Sequence, residues 1–156
     1  MDHDEPPKRD RECYTGERTV AFSAVILGGD EVFTRPEVVL PHVEYLIRAA
    51  GRFHCVVPIY CFLPSQFRAV FRGTQPDAQL LEAMNYFKHL SGMWLRAHDL
   101  GGWERGYTDQ VLDSEEAWRA HAAVIAHAPV CAGLVDDWSQ YPFTGSLEFD
   151  LPEIVS

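Results

Sequence analysis

The chain has 156 residues, 47 % of them hydrophobic and 12 % aromatic, with a formal net charge of −10. That length suits one domain with a proper core; no run approaches the roughly 20 apolar residues that span a bilayer, and Met1 to Lys8 lack the apolar stretch of a secretory leader, so the reading is a cytoplasmic protein without a membrane segment. The acidity works against sequence-independent attraction to nucleic acid, because Lys and Arg neutralising phosphates supply most of that affinity.

Residues 1–18 are polar, with paired prolines, and predict a flexible arm. Arg18 to Leu27 (RTVAFSAVIL) is β-branched and aromatic and closes on Gly28, Gly29 and Asp30, a strand and its turn. From Pro36 to Gly51, Val38, Leu40, Val43, Leu46 and Ile47 recur at helical spacing, with Pro41 either inside the first turn or delaying the start. His54 to Leu63 is a mostly apolar strand whose Pro58 implies an edge or a bulge. Pro64 and Ser65 turn the chain, and Gln66 to Arg72 returns as the partner strand. Asp77 to Asp99 is the clearest helix, with Leu80, Met84, Phe87, Ser91 and Trp94 on one face. Gly106 to Leu112 reads as an extended segment. A last helix begins after Ser114, its N-cap, and runs to His127, ahead of Pro129.

Strand, helix, strand, strand, helix, strand is the order of an α+β ferredoxin-like sandwich. The expectation is an antiparallel sheet of about four strands with helices on one face, plus an extra C-terminal helix. The domain would span 19–147, followed by an acidic C-terminal tail at 148–156.

Charge is uneven along this frame. Gly106 to Ser156 carries nine acidic residues against Arg119 alone, whereas Glu31 to Arg105 carries seven acidic and eight basic. A nucleic-acid surface would therefore lie on the middle segment, unless the acidity reflects host adaptation. Cys13, Cys55, Cys61 and Cys131 form no CxxC pair and no secreted disulfide framework, and a zinc site using His54 is disfavoured by spacing. Glu115 with Glu116 suits a helix start, and Asp136 with Asp137 a solvated turn, so neither pair reads as catalytic. His121 and His127, six apart on one helix, do not share a face. Gly28-Gly29-Asp30 lacks the downstream residues of a phosphate loop.

Three segments carry a family signal. Ile59 to Phe71 (IYCFLPSQFRAVF) resembles the hairpin of single-tyrosine HUH transposases, which reads roughly A-Y-V-L-M-P-N-H-V-H-L-L-L. Asn85 to Trp94 (NYFKHLSGMW) resembles the helix bearing their nucleophile. Trp103 to Leu112 (WERGYTDQVL), Ala128 to Val135 (APVCAGLV) and Tyr141 to Ser146 resemble the family's later blocks, so the likeness covers residues 19 to 146. REP-associated tyrosine transposases are the most similar group.

The resemblance implies single-stranded DNA chemistry. Two histidines at i and i+2 of a strand point to one side and hold a divalent metal that polarises the scissile phosphate; a helix-borne tyrosine then attacks. Here the triplet's positions are Gln66, Phe67 and Arg68. Glutamine is a poor ligand, and a guanidinium has no lone pair to offer. The best register puts Ser91 at the tyrosine position, and a one-residue slip puts Gly92 there. Tyr86, five residues earlier and about 140° round the helix, is not a substitute, and Tyr107 reads as a structural aromatic.

The resulting expectation is a degenerate, catalytically inactive transposase-like domain without cofactor or metal, repurposed to bind a protein or structured single-stranded DNA or RNA, as a monomer or homodimer. Arg68, Arg72, Lys88 and Arg96 are the candidate nucleic-acid-binding residues. Phe67, Trp94 and Trp103 could stack bases beside them, although core packing is the favoured reading of these aromatics. The alternative is a DNA-processing transposase acting on single-stranded hairpin DNA through substituted residues.

Overall fold

The computed structural model describes residues 11–155. A five-stranded sheet has the order β4-β1-β3-β2-β5, every pair antiparallel. Its strands are β1 (Thr19–Val25), β2 (Cys55–Leu63), β3 (Gln66–Gly73), β4 (Thr108–Val111) and β5 (Thr144–Gly145). The helices are α1 (Pro36–Arg52), α2 (Leu80–Ala97), α3 (Glu115–Cys131) and α4 (Leu151–Val155). The first four strands are the expected α+β sandwich; β5 and α4 are additions too short to show a period in sequence.

Helices α1 and α2 cover one face of the sheet, and α3 with α4 packs on the other. The sheet therefore separates two cores. The larger holds Val20, Phe22, Phe62, Phe67, Phe71, Leu46 and Phe87, and the smaller holds Ala21, Ile59, Cys61, Val70, Trp118 and Ile125. Strand alternation assigns the side chains: along β3, Phe67, Ala69 and Phe71 face α1 and α2, while Gln66, Arg68, Val70 and Arg72 face the α3 side. Pro58 sits in a register shift between Val56 and Ile59, the expected bulge. Across it Val57 joins the larger core and Ile59 the smaller one.

The helices begin and end for local reasons. Pro36 occupies the first turn of α1, where its missing N–H costs nothing, and the helix continues through Pro41. In α2 the predicted stripe is real: Leu80, Met84, Phe87 and Ser91 are all buried. Ser114 caps α3, its Oγ accepting from Ala117 N at 3.0 Å. That helix runs past the expected stop to Cys131, because the ring of Pro129 is buried and apolar contact offsets the backbone bond it cannot make.

Both ends of the predicted domain need correction. Within the expected arm, residues 1–10 lie outside the described residues, but Tyr14 is buried and its hydroxyl donates to Asp109 Oδ2 at 2.5 Å. At the other end, 148–155 is part of the fold and not a separate tail. Ile154 and Val155 are buried beside α3, and Phe149 stacks on Trp118 with ring centroids 6.1 Å apart. Among the described residues no helix is long and apolar enough to cross a membrane.

Candidate functional site

Helix α3 lies over the β2 and β3 half of the sheet, leaving the β1 and β4 half open beside it. Between them runs an open groove of about 400 Å³. Its polar wall is Ser23 from β1, Gln66 and Arg68 from β3, Thr108 and Gln110 from β4, and His121 from α3. Asp109 borders it, and Val124 supplies an apolar rim that is 58 % exposed.

Gln66 and Arg68 converge here as their i, i+2 spacing requires, with Phe67 fully buried on the opposite side against Phe87, ring centroids 4.6 Å apart. Gln66 Nε2 donates to Ser23 Oγ at 3.0 Å, so its amide is tied to the neighbouring strand. Arg68 is half-buried, and its guanidinium forms no hydrogen bond or ion pair with the described residues. Cys61 lies directly across from it on β2. Burial pushes that thiol up to about 11, against smaller downward pulls from the Thr144 hydroxyl and the Arg68 charge, so Cys61 is a neutral packing residue.

In the sequence His121 figures only beside His127, as a pair that does not share a face. It reaches the groove from α3, and its pKa is lowered, first by burial and second by the Arg68 cation. An imidazole beside a guanidinium resists gaining a second positive charge, which makes it neutral at pH 7. One signal was available. In β3 Phe67 alternates with Gln66 and Arg68, so the two polar side chains share the face opposite to Phe67.

Ser91 consequently does not belong to this site. It is fully buried on α2, across the sheet from Gln66 and Arg68, and its Oγ accepts from Trp103 Nε1 at 2.8 Å. Side chains that meet Gln66 and Arg68 come from α3, where the groove-lining pair is His121 and Val124. No tyrosine is among the described residues that line the groove.

The other candidate cations are dispersed. Lys88 is buried, and its ammonium donates to the carbonyls of Glu104 at 2.8 Å and Gly106 at 2.6 Å, so it is a structural tie and is not presented to a ligand. Arg72 shares the Arg68 face but ion-pairs with Glu148 and lies over the Phe149 ring, 5.9 Å from its centroid. Arg96 is exposed in the last turn of α2, on the far side of the sheet, where a cation favours the helix C-terminus. Phe67 is core. Trp94 stacks on His98 at 3.8 Å, and Trp103 packs against Phe33. None of the three aromatics lines the groove. Tyr107 is structural as expected, its hydroxyl donating to Asn85 Oδ1 at 2.7 Å.

As a metal centre the donor set does not fit. Among the described residues of the groove, Gln66 offers one neutral carbonyl oxygen, Arg68 places a fixed cation beside it, Asp109 is the one carboxylate and His121 the one imidazole. No group of three His, Cys, Asp or Glu side chains gathers among them. The same set offers an anion one guanidinium, two amides, two hydroxyls and an imidazole able to gain a proton, with the Asp109 carboxylate at the border as the opposing charge.

No protein-family model matches the chain, and no curated protein matches it. Among solved structures, a REP-associated tyrosine transposase bound to a REP hairpin is similar over 90 % of this chain and 81 % of that one, with a TM-score of 0.73 and 18 % sequence identity. At that identity the likeness establishes the architecture: this chain has the transposase-like α+β fold.

Proposed function

We propose that this domain keeps the transposase-like fold as a binding module and does not cut or join DNA strands. The observation that carries the reading is Arg68. An unpaired guanidinium stands in an open polar groove at the strand position where the family resemblance calls for a metal-binding histidine. A guanidinium can hold a phosphodiester oxygen without a metal. It cannot recruit one. With His121 and Val124 opposite, the groove also lacks a tyrosine to form a covalent link to a DNA end.

The ligand class favoured is single-stranded nucleic acid with a hairpin; the similar transposase is bound to a REP hairpin. The groove's amides and hydroxyls can serve a sugar–phosphate backbone, and Arg68 supplies its fixed positive charge. Binding through so few phosphates should be weak and salt-sensitive, with a slope of about −0.7 in log affinity per phosphate for a single strand.

A gel-shift titration with hairpin-tipped single-stranded DNA at two salt concentrations, run beside a nicking assay with Mg²⁺ or Mn²⁺, tests both halves. A low-salt shift lost in Arg68→Ala, with no nicked product, is expected. Cleavage abolished by a chelator would instead establish processing through substituted residues. No shift at micromolar protein in low salt removes the binding reading.

A further inference from the structure

We propose that His121 is the second anion-holding residue of the groove, so that a phosphodiester seated between Arg68 and His121 binds more tightly as the pH falls. This rests on the groove being the nucleic-acid site, and adds its regulation. Arg68 projects from β3 and His121 from α3, on opposite walls of the same cleft. An anion between them would touch one permanent cation and one conditional one.

The surroundings isolate that proton. From β2, Cys61 is neutral, its thiol pushed up by burial. Tyr141, near Cys61, is also held neutral by burial, its hydroxyl donating to Phe62 O at 2.6 Å. From β1 and β4, Ser23, Thr108 and Gln110 carry no charge. Among the described residues Asp109 is the one carboxylate lining the groove, and it accepts the Tyr14 hydroxyl. Along α3, one turn either side of His121, stand Ala117, Trp118, Val124 and Ile125, and Arg119 is engaged with Glu115. Among the described residues lining the groove, Arg68 and Asp109 carry the formal charges until the imidazole protonates.

The coupling has a definite sign. In the empty groove, burial and Arg68 both disfavour imidazolium, which keeps the pKa below 6.5. A bound phosphodiester screens Arg68 and offers an acceptor, so protonation becomes easier and the pKa rises. By reciprocity, a ligand that raises a group's proton affinity is itself bound more tightly when the proton is present. The phosphodiester does not titrate near neutrality, so the effect belongs to the protein.

The test is fluorescence anisotropy with a short hairpin-tipped single-stranded DNA carrying a pH-insensitive dye, from pH 8 to 5.5 at fixed ionic strength, with the fold followed by circular dichroism. Wild-type affinity should rise on the order of fivefold to tenfold. In His121→Gln that increment should vanish, and in Arg68→Gln binding should be weak at every pH. A ring-proton NMR titration of His121, with and without the oligonucleotide, reads the same linkage without a variant and should show an upward pKa shift. Equal pH dependence in wild type and His121→Gln, or an unmoved His121 titration under saturating oligonucleotide, overturns the role of His121 and leaves the groove reading intact. Absence of binding at any pH overturns both.

Discussion

Trp103 Nε1 donates a 2.8 Å hydrogen bond to Ser91 Oγ, fastening the segment before β4 to the buried face of α2. Trp103 also packs against Phe33, ring centroids 5.7 Å apart. The serine hydroxyl is therefore the partner that lets an indole N–H enter the core. Replacing Ser91 with alanine leaves that donor unsatisfied. Ser91→Ala should lose on the order of 1–2 kcal/mol in urea unfolding, while oligonucleotide affinity at pH 7 stays at the wild-type value. A selective loss of binding with unchanged stability would return Ser91 to the functional site.

Acid should destabilise the fold through His42. Its Nδ1 lies 2.7 Å from Val38 O and acts there as donor, while Nε2 is buried without a partner. Phe33, Phe62, Phe87, Tyr45 and Trp94 surround the ring. Burial lowers the pKa to about 4 from 6.5, outweighing the Val38 bond. The folded state thus binds fewer protons than the unfolded state, so stability is full above pH 6.5 and declines as pH falls towards 4. At one pH unit per about 1.4 kcal/mol, the loss is roughly 3 kcal/mol. Denaturant midpoints measured from pH 7 to 4 check this, and His42→Leu should flatten the decline.

Lys88 makes a similar structural prediction. Its ammonium satisfies the carbonyls of Glu104 and Gly106 and lies 5.8 Å from the Tyr107 ring centroid. Lys88→Met keeps most of the stem but strands both acceptors. The expected cost is on the order of 2 kcal/mol, read by chemical denaturation. The slope of oligonucleotide affinity against salt should not change, whereas a phosphate-contacting lysine would reduce it.

Gly73 ends β3 against the backbone of Gly16. A Cβ there would collide with Gly16 O and lie 2.9 Å from the Ala78 Cβ. Backbone and a buried methyl cannot swing aside as a long side chain would. Gly73→Ala should therefore destabilise by about 1–3 kcal/mol, visible as a lowered Tm with unchanged secondary-structure content. Gly51→Ala, with nothing within 4 Å, is the matched control.

Much of the fold was legible because periodicity speaks directly for burial. The stripe from Leu80 to Ser91 on α2, the alternation of Gln66, Phe67 and Arg68, and the bulge at Pro58 all came from spacing and residue type. Element order left open which sheet face each helix covers, and the site depends on that. Ser91 sits in phase with Met84 and Phe87, a core position whatever family register is chosen. Lys88 was harder: its burial depends on carbonyls in an irregular segment 16 and 18 residues away. The placing of His121 beside Arg68 was illegible for a related reason. Its neighbour across the groove is Arg68, and no local pattern joins residues on a strand and a helix so far apart in the chain. The packed segment at 148–155 escaped because a five-residue helix is shorter than two turns of any hydrophobic repeat.

The alternation along β3 has a consequence for how such a domain can change. Phe67 is locked among aromatic rings, so its replacement would threaten the whole molecule. Gln66 and Arg68 border open space, where exchange of one polar group for another barely perturbs packing. Chemistry and architecture thus occupy odd and even places of a single strand. A lineage can exchange polar side chains at those two positions without jeopardising its scaffold, and selection for a folded protein would not oppose the exchange.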